Sequence, residues 1–474
     1  MNRFCKNLIF FLFLTIFISV IGGLGWAEAA TYYVRTDGNN SCNGTTDSSG
    51  SSGNCAFRTI LKGLQTAQAG DTITVHAGSY TGETLKSQRS GLSGSPITLQ
   101  AYTGETVTIS RIDIPHSYNA LSGLTINSYG SFANAGISVT GNNNTISGNR
   151  IIGACDTCGS GGETPCTGMY LSGSNNLITN NIFDGMNNGT STGFGQAIYI
   201  AVGSSSNTMT HNTIKNANTP GRLFEFYGDG HRFASNEVFG SVDRWCSAVH
   251  ADIFQGFGSP SSNMLIEDNY FHDMDSQWVM LADCPACGGQ QGVINHWTFR
   301  NNVFANITQS GFIKSSYISF HNNTFYNVGS SGGNPLIFST DSEGWGNNGS
   351  FVNNILISSA NQGVGAAAPN ITVSNNYFGS PSYGTYNAPS GSNYVNGGNP
   401  QFLSASSNCI NNNCDFHIQT TSVCKDKGTD LSSLFSTDHD GNTRTGTWDI
   451  GAFEYGTSGA GSPQPPKNFR ILAN

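Results

Sequence analysis

Charge is what this sequence has least of. Only 10% of its 474 residues are Asp, Glu, Lys or Arg, against roughly 25% in an ordinary soluble protein. That scarcity excludes a disordered polyelectrolyte, a coiled coil and a basic nucleic-acid binder. Beyond residue 30 no apolar run is long enough to cross a bilayer. Good helical stretches are also scarce, because 60 Gly and 53 Asn make up about a quarter of the chain. Both residues tolerate the left-handed backbone and favour tight turns. The net charge of −9 offers no attraction for nucleic acid or anionic lipid.

Residues 1–30 read as a secretory signal. Arg3 and Lys6 precede an apolar run from Leu8 to Gly25, and Ala27-Glu28-Ala29 gives a small-x-small cleavage pattern. The mature chain is therefore expected outside the cytoplasm, soluble and monomeric. There most of its eleven remaining cysteines should pair. Cys42 with Cys55, and Cys409 with Cys414 or Cys424, are the expected local closures. Cys155/Cys158 and Cys284/Cys287 have C-x-x-C spacing, with Cys166 and Cys246 as further partners. Disulfides that pin long loops are favoured there over zinc or a redox dithiol, and the odd count leaves one thiol over.

A short unit recurs along the chain, as in TISGNRI, LITNNIF, RFASNEV, TFRNNVF and TVSNNYF. Its marker asparagines are Asn149, Asn181, Asn212, Asn236, Asn269, Asn302, Asn323, Asn354 and Asn376, spaced by 21 to 33 residues. The shortest spacings fit one bare turn of a β-solenoid, and the longer ones the same turn with an inserted loop. Each unit alternates with period two but is too short to bury a face alone, so stacking must supply the core. Ile178, Ile182, Ile266 and Phe271 are expected to face inward. An Asn at one fixed turn can bond to its neighbours about 4.8 Å above and below. Sandwiches lack such a marker, and propeller blades repeat at about 40–50 residues.

The ends carry caps. Phe57, Ile60, Leu61 and Leu64 form one face of a short amphipathic helix, which leads into Gly70-Asp-Thr-Ile-Thr-Val-His-Ala-Gly78. TYYVRTDGNN and AFRTILKGLQTAQAGDTITVHAGSYTG resemble the N-terminal cap of secreted right-handed parallel β-helix proteins of the pectate-lyase-like superfamily. STDHDGNTRTGTWDIGAFEYG, residues 436–456, resembles the C-terminal closure of bacterial members. The resemblance covers about residues 31–456. It implies an all-β fold, a single-stranded right-handed parallel β-helix with an N-terminal capping helix. Residues 457–474 form a Gly/Ser/Pro-rich linker or tail. For activity the resemblance implies less, because the superfamily spans lyases, hydrolases, epimerases and non-catalytic surface proteins.

Charge concentrates in one window. Residues 215–283 hold 17 ionisable side chains among 69, about two and a half times the density elsewhere. This is the candidate working surface. Aligning the strands ahead of the markers gives an outward ladder of Tyr170, Tyr199, Glu225 and Phe254, flanked by Arg222, His250, Asp252 and Trp278. Two reactions fit. Elimination across a uronic-acid unit needs a base and a cation, for which Arg222, Arg232, Arg244, Lys215 and His250 are candidates. Asp229, Asp243 and Asp273 are the candidate Ca²⁺ ligands. Hydrolysis instead needs one protonated and one ionised carboxyl, with Glu225 and Asp252 the candidate pair. Tyr170, Tyr199, Arg244, Trp245, Phe254, Gln255 and Trp278 are the expected sugar contacts. The paired Asp and Arg-Ile-Lys of polygalacturonase-like members are absent, although Gly228-Asp-Gly-His231-Arg232 is present. Asp438, Asp440 and Asp449 are read as structural parts of the closure.

The expected function is action on an extracellular polysaccharide, with elimination ahead of hydrolysis. The alternative is a non-catalytic adhesion or glycan-binding module.

Overall fold

The computed structural model describes residues 28–127, 135–153, 166–185, 195–216, 222–240, 252–330, 334–358, 364–366, 368–380, 394–410 and 413–456. The expected signal segment up to Ala27, the tail after Gly456, and Cys155, Cys158, Asp243, Arg244, Trp245, Cys246 and His250 lie outside them. So does the Arg222 side chain.

The chain winds as a right-handed parallel β-helix. Among the described residues, thirteen short strands stack in sequence order from Thr31–Val34 to Thr372–Ser374 to make one face. A second sheet, of 23 strands among the described residues, carries the other two faces of the coils. In one coil these faces are Leu177–Thr179, then Ile182–Asp184, then Gly195–Ile200. These pairings are parallel and held in register, as with Ile178↔Met209 and Phe183↔Ile214, with one shift between Met274 and Gln277.

Alternation on each strand sends one ladder of apolar side chains into the coil. Ile178, Ile266 and Phe271 are fully buried, as expected. Ile182 is not, because it is the outward partner of Arg150 and Thr213, and Phe183 takes the inward place. The register begins one residue later than the string alone suggests. Further along, inward phenylalanines stack coil upon coil: Phe271–Phe304 at 4.9 Å and Phe304–Phe325 at 4.8 Å.

Every marker asparagine is buried and bonds to the next along the axis. Asn149 Nδ2 donates to Asn181 Oδ1 at 3.0 Å, and the pattern runs unbroken to Asn354 and Asn376 at 3.1 Å. A left-handed residue precedes each marker, among them Asn180 (φ 55°), Asp268 (φ 56°) and Asn322 (φ 51°). His211 is one of these turn residues rather than a ladder member, and His321 lies on a neighbouring strand with its Nε2 2.9 Å from Ser350 Oγ. A second ladder, which the sequence reading missed, runs five residues earlier through Asn144, Asn176 and Asn207. Asn176 N donates to Asn207 Oδ1 at 2.9 Å, and His231 Nδ1 continues the row by accepting from Asn207 N at 3.0 Å.

The N-terminal helix spans Ile60–Thr66, with Thr59 capping Lys62 N and the Glu83 carboxylate accepting from Ile60 N and Leu61 N. Ile60, Leu64 and Phe57 are buried against the first coil and Leu61 is partly so. At the other end, residues 402–410 and 413–453 fold back over the second face. Phe402, Phe416, Ile418, Ile450 and Phe453 bury Tyr270, Val303, Ile355 and Tyr377. Asp449 accepts from Asp426 N and Tyr455 N at 2.6 Å each, and Asp438 from Asn442 N at 2.8 Å, so these acids are structural. Cys42–Cys55 and Cys409–Cys414 pair as expected. Cys284 bonds to Cys287 itself rather than to a distant loop, and Cys424 is a buried free thiol.

His417 clamps the closure, with Nδ1 2.6 Å from Asp415 and Nε2 2.8 Å from Asp440. Burial alone would lower its pKa, but the two carboxylates outweigh this and raise it to about 9. The clamp's stabilisation is therefore complete below the unfolded value of about 6.5 and lost as pH rises through about 9. Melting temperature is expected to fall between pH 7 and pH 10 more steeply in the wild type than in His417→Gln. Parallel curves would remove the clamp from the account.

Candidate functional site

The third face carries an outward ladder fixed by backbone register: Asp113, Ser138, Tyr170, Tyr199, Glu225, Gln255 and Met280. Tyr170, Tyr199 and Glu225 stand where the sequence placed them. The Tyr170 and Tyr199 rings stack at 5.6 Å with planes 7° apart. Tyr227, which sequence reasoning overlooked, meets Tyr199 edge-on at 5.9 Å.

Phe254 is a correction. It pairs with Phe224 and is wholly buried in the core, and Gln255 takes the ladder position beside Glu225. The cause is Gly256. From Asp113 to Glu225 each outward residue of this face is flanked by two inward apolar ones, but at Gln255 the second is missing. A Cβ on Gly256 would lie 3.2 Å from Leu281 and 3.7 Å from Trp297, which fill its space. Without that marker the apolar pattern slips by one residue. Trp278 is the second correction. It is completely buried, packs tilted against Phe304 and Phe325, and donates Nε1–H to the Pro335 carbonyl at 2.8 Å. It is a core residue and cannot touch a sugar.

A second polar row lies three residues before the ladder, where the chain turns onto this face: Thr167, Gln196, Asp252 and Gln277. All four are buried. Arg222 pairs with Asp252 in backbone register. The rows interlock. Gln196 Nε2 donates to Glu225 Oε2 at 2.6 Å and Tyr227 Oη–H to Glu225 Oε1 at 2.5 Å. Asp252 receives Gln255 Nε2 at 3.0 Å on one oxygen and Gln277 Nε2 at 2.7 Å on the other. All four carboxylate oxygens thus accept a protein hydrogen bond. Buried carboxylates need such donors, because desolvation without them costs several kcal/mol. Gln196 and Gln277 were legible in principle, since Gln196-Ala-Ile-Tyr199, Asp252-Ile-Phe-Gln255 and Gln277-Trp-Val-Met280 share one spacing.

Several ionisable groups of the dense window lie elsewhere. Arg232 binds Glu267 at 2.5 Å on the first face, where Arg300 grips the same carboxylate. Lys215 sits 3.6 Å from Asp184 on the second face. Burial would raise Asp184, yet Arg150, Asn216 and Lys215 hold it below the usual carboxylate range. His272 is nearly buried between Asp273 and Glu237, at 2.8 and 3.4 Å. Burial works against its charge, but the two acids prevail and raise its pKa. His231 is driven down to about 4 by burial and is neutral, which suits its place in the asparagine row.

Of the expected Ca²⁺ ligands Asp243 lies outside the described residues, and Asp229 and Asp273 hold separate places. Asp229 accepts from Ser262 and Asn263 at 2.7 Å each, at the far edge of the third face. Asp273 accepts from Asn306 Nδ2 at 3.0 Å and Cys409 N at 2.8 Å, anchoring the C-terminal cap. Among the described residues no three His, Cys, Asp or Glu side chains gather as an ion site. None of the described helices is long and apolar enough to cross a membrane.

No family model and no curated protein matches the chain. Among solved structures it is similar to a PL6 family polysaccharide lyase from Pseudopedobacter saltans, at 15% identity and TM-score 0.50, over 77% of this chain and 96% of that one. It is also similar to XylC in its complex with xylose, at 11% identity and TM-score 0.50, over 90% of this chain and 98% of that one. These likenesses establish the fold, a parallel β-helix.

Proposed function

We propose that this chain is an exported polysaccharide lyase whose glycan lies along the Tyr170–Tyr199–Glu225–Gln255 ladder. The observation that carries the proposal is the ladder itself: two stacked phenol rings leading directly onto a polar floor with two buried carboxylates. Flat aromatic rings suit sugar faces, and amides beside them suit hydroxyls. The fold shared with a PL6 polysaccharide lyase supports the same reading as an analogy of architecture. The disulfides fit export to an oxidising compartment.

Elimination is favoured over hydrolysis because of how the carboxylates are held. A hydrolase needs one carboxyl free to meet the glycosidic oxygen and a second free to attack or to activate water. Here Glu225 is 5% and Asp252 1% exposed, with every oxygen already engaged. They suit positioning better than attack. In the elimination Arg222 neutralises the uronate carboxylate and His250 removes the C5 proton. The C–H electron pair becomes the C4–C5 double bond, the C4–O bond breaks, and the leaving oxygen takes a proton from water. No step is assigned to Ca²⁺. Arg244 and Trp245 remain proposed sugar contacts on the adjoining segment.

The test is to incubate the purified protein with acidic and neutral polysaccharides, with and without Ca²⁺. Absorbance near 235 nm and reducing ends are followed together. A joint rise is the expected result. Reducing ends alone would replace elimination by hydrolysis, and binding without either signal would leave a glycan-binding module. Tyr199→Ala is expected to weaken oligosaccharide binding about five- to tenfold, the usual worth of a stacked ring. Unchanged affinity would move the glycan off the ladder.

A further inference from the structure

The corner where the third face meets the first repeats a left-handed turn residue in successive coils. From Asn143 (φ 57°) to Asn370 (φ 60°) its occupants are Asn, Ser or Gly, except at two adjacent coils, where they are His296 (φ 55°) and Tyr317 (φ 61°). Tyr118 (φ 55°) holds the same turn near the N-terminal end. A bulky ring is a poor choice for that backbone, where Asn or Gly sits at least cost. Both rings are nevertheless presented to solvent. They stack at 4.8 Å with planes only 3° apart, and Tyr317 is 49% exposed. Trp345, 52% exposed, joins the same edge: its carbonyl accepts from Ser316 Oγ at 3.3 Å, and Asn347 beside it accepts the Tyr317 N–H at 3.0 Å.

We infer that His296, Tyr317 and Trp345 form a second glycan-holding surface, at the opposite edge of the face from Asp252, for a polysaccharide of uncharged sugar rings. The aromatic rows supply stacking platforms. Past Tyr317 the turn row continues in amides, with Asn370 Nδ2 donating to Asn348 Oδ1 at 3.2 Å, groups that exchange readily with sugar hydroxyls. Charge selects against an acidic glycan here. The neighbouring cation, Lys314 at the end of the strand Gly311–Lys314, is already paired with Asp341 at 2.9 Å and with Glu343, both on the hairpin that carries Trp345. This surface contains no residue of the ladder, so the inference stands or falls independently of the proposed cleavage.

The experiment is native affinity electrophoresis of the full chain in gels containing hydroxyethyl cellulose or xylan, with alginate as the charged comparison. The wild type is expected to be retarded by at least one of the two neutral polymers. Tyr317→Asn and His296→Asn should each weaken that retardation about three- to fivefold. Because Asn suits this backbone, Tyr317→Asn should melt at the same temperature or about 1 °C higher, so lost binding cannot be lost folding. Wild-type retardation by alginate alone, or by neither neutral polymer, would overturn the inference. So would a Tyr317→Asn protein retarded like the wild type, or retardation that disappears only in Tyr199→Ala.

Discussion

Asn302→Ala is expected to lower the unfolding free energy by about 3–5 kcal/mol, from the cost of leaving buried donors and acceptors unpaired. Asn302 Nδ2 donates to the Ile266 carbonyl at 2.8 Å and to Asn323 Oδ1 at 3.0 Å. Its Oδ1 accepts both Asn269 N at 3.0 Å and Asn269 Nδ2 at 2.9 Å. Truncation takes a hydrogen bond from groups in the coil on each side, Asn269 N among them, and Asn269, Asn323 and Ile266 are closed to water. Asn180→Gly is the control. Asn180 occupies the left-handed turn before the marker Asn181, and its exposed side chain bonds to the neighbouring Thr179 Oγ1. Glycine accepts that backbone, so the change should stay within about 0.5 kcal/mol. Denaturant midpoints of the two variants decide the matter. Equal losses would mean that the buried asparagine row is not a principal support of the stack.

The largest effect on activity is expected from Arg222→Ala, which should slow elimination about a thousandfold, equivalent to roughly 4 kcal/mol of transition-state stabilisation. The C5 proton becomes acidic enough to remove only if the adjoining carboxylate is neutralised, and that need is greatest as the carbanion forms. Asp252 pairs with Arg222 in register, so an anion is built in beside this position. Glu225→Gln separates the two reactions. Under elimination Glu225 positions Gln196 and Tyr227, and the amide should cost only about tenfold in kcat, because one oxygen still accepts from Tyr227. Under hydrolysis the same change would remove a reacting carboxyl and abolish turnover. A thousandfold loss in Glu225→Gln with Arg222→Ala near wild type would therefore reverse the assignment of roles.

The solenoid was legible because its physics is local and repeated. A marker asparagine, a left-handed residue before it and two alternating strands recur in every coil, so the same short string reports the same turn each time. Nine markers identified from spacing form one continuous row. The second row, at Asn144, Asn176 and Asn207, was less visible because it is shorter and His231 ends its run of asparagines.

The site divides along the same line. Tyr170, Tyr199 and Glu225 could be placed from alternation, since each lies between two apolar neighbours that face inward. Gln255 could not, because Gly256 leaves the inward position without a side chain, and the pattern offered Phe254 instead. Trp278 looked like a sugar platform because aromatic residues serve both cores and binding faces. Only packing against Phe304 and Phe325, with its N–H spent on Pro335, assigns it to the interior.

The sequence alone determined that the chain coils, where each coil turns and which face carries the polar ladder, because these depend on contacts repeated at fixed intervals. The tertiary structure decided which ionisable groups share a surface. Arg232 and Lys215 lie seven and ten residues from Glu225 in sequence but belong to other faces of the coil, where Glu267 and Asp184 hold them. Gln196 reaches Glu225, and Gln277 reaches Asp252, across 29 and 25 residues because parallel stacking brings equivalent positions of successive coils about 4.8 Å apart. Proximity in a solenoid is set by position within the coil, and charge density counted along the chain does not measure it.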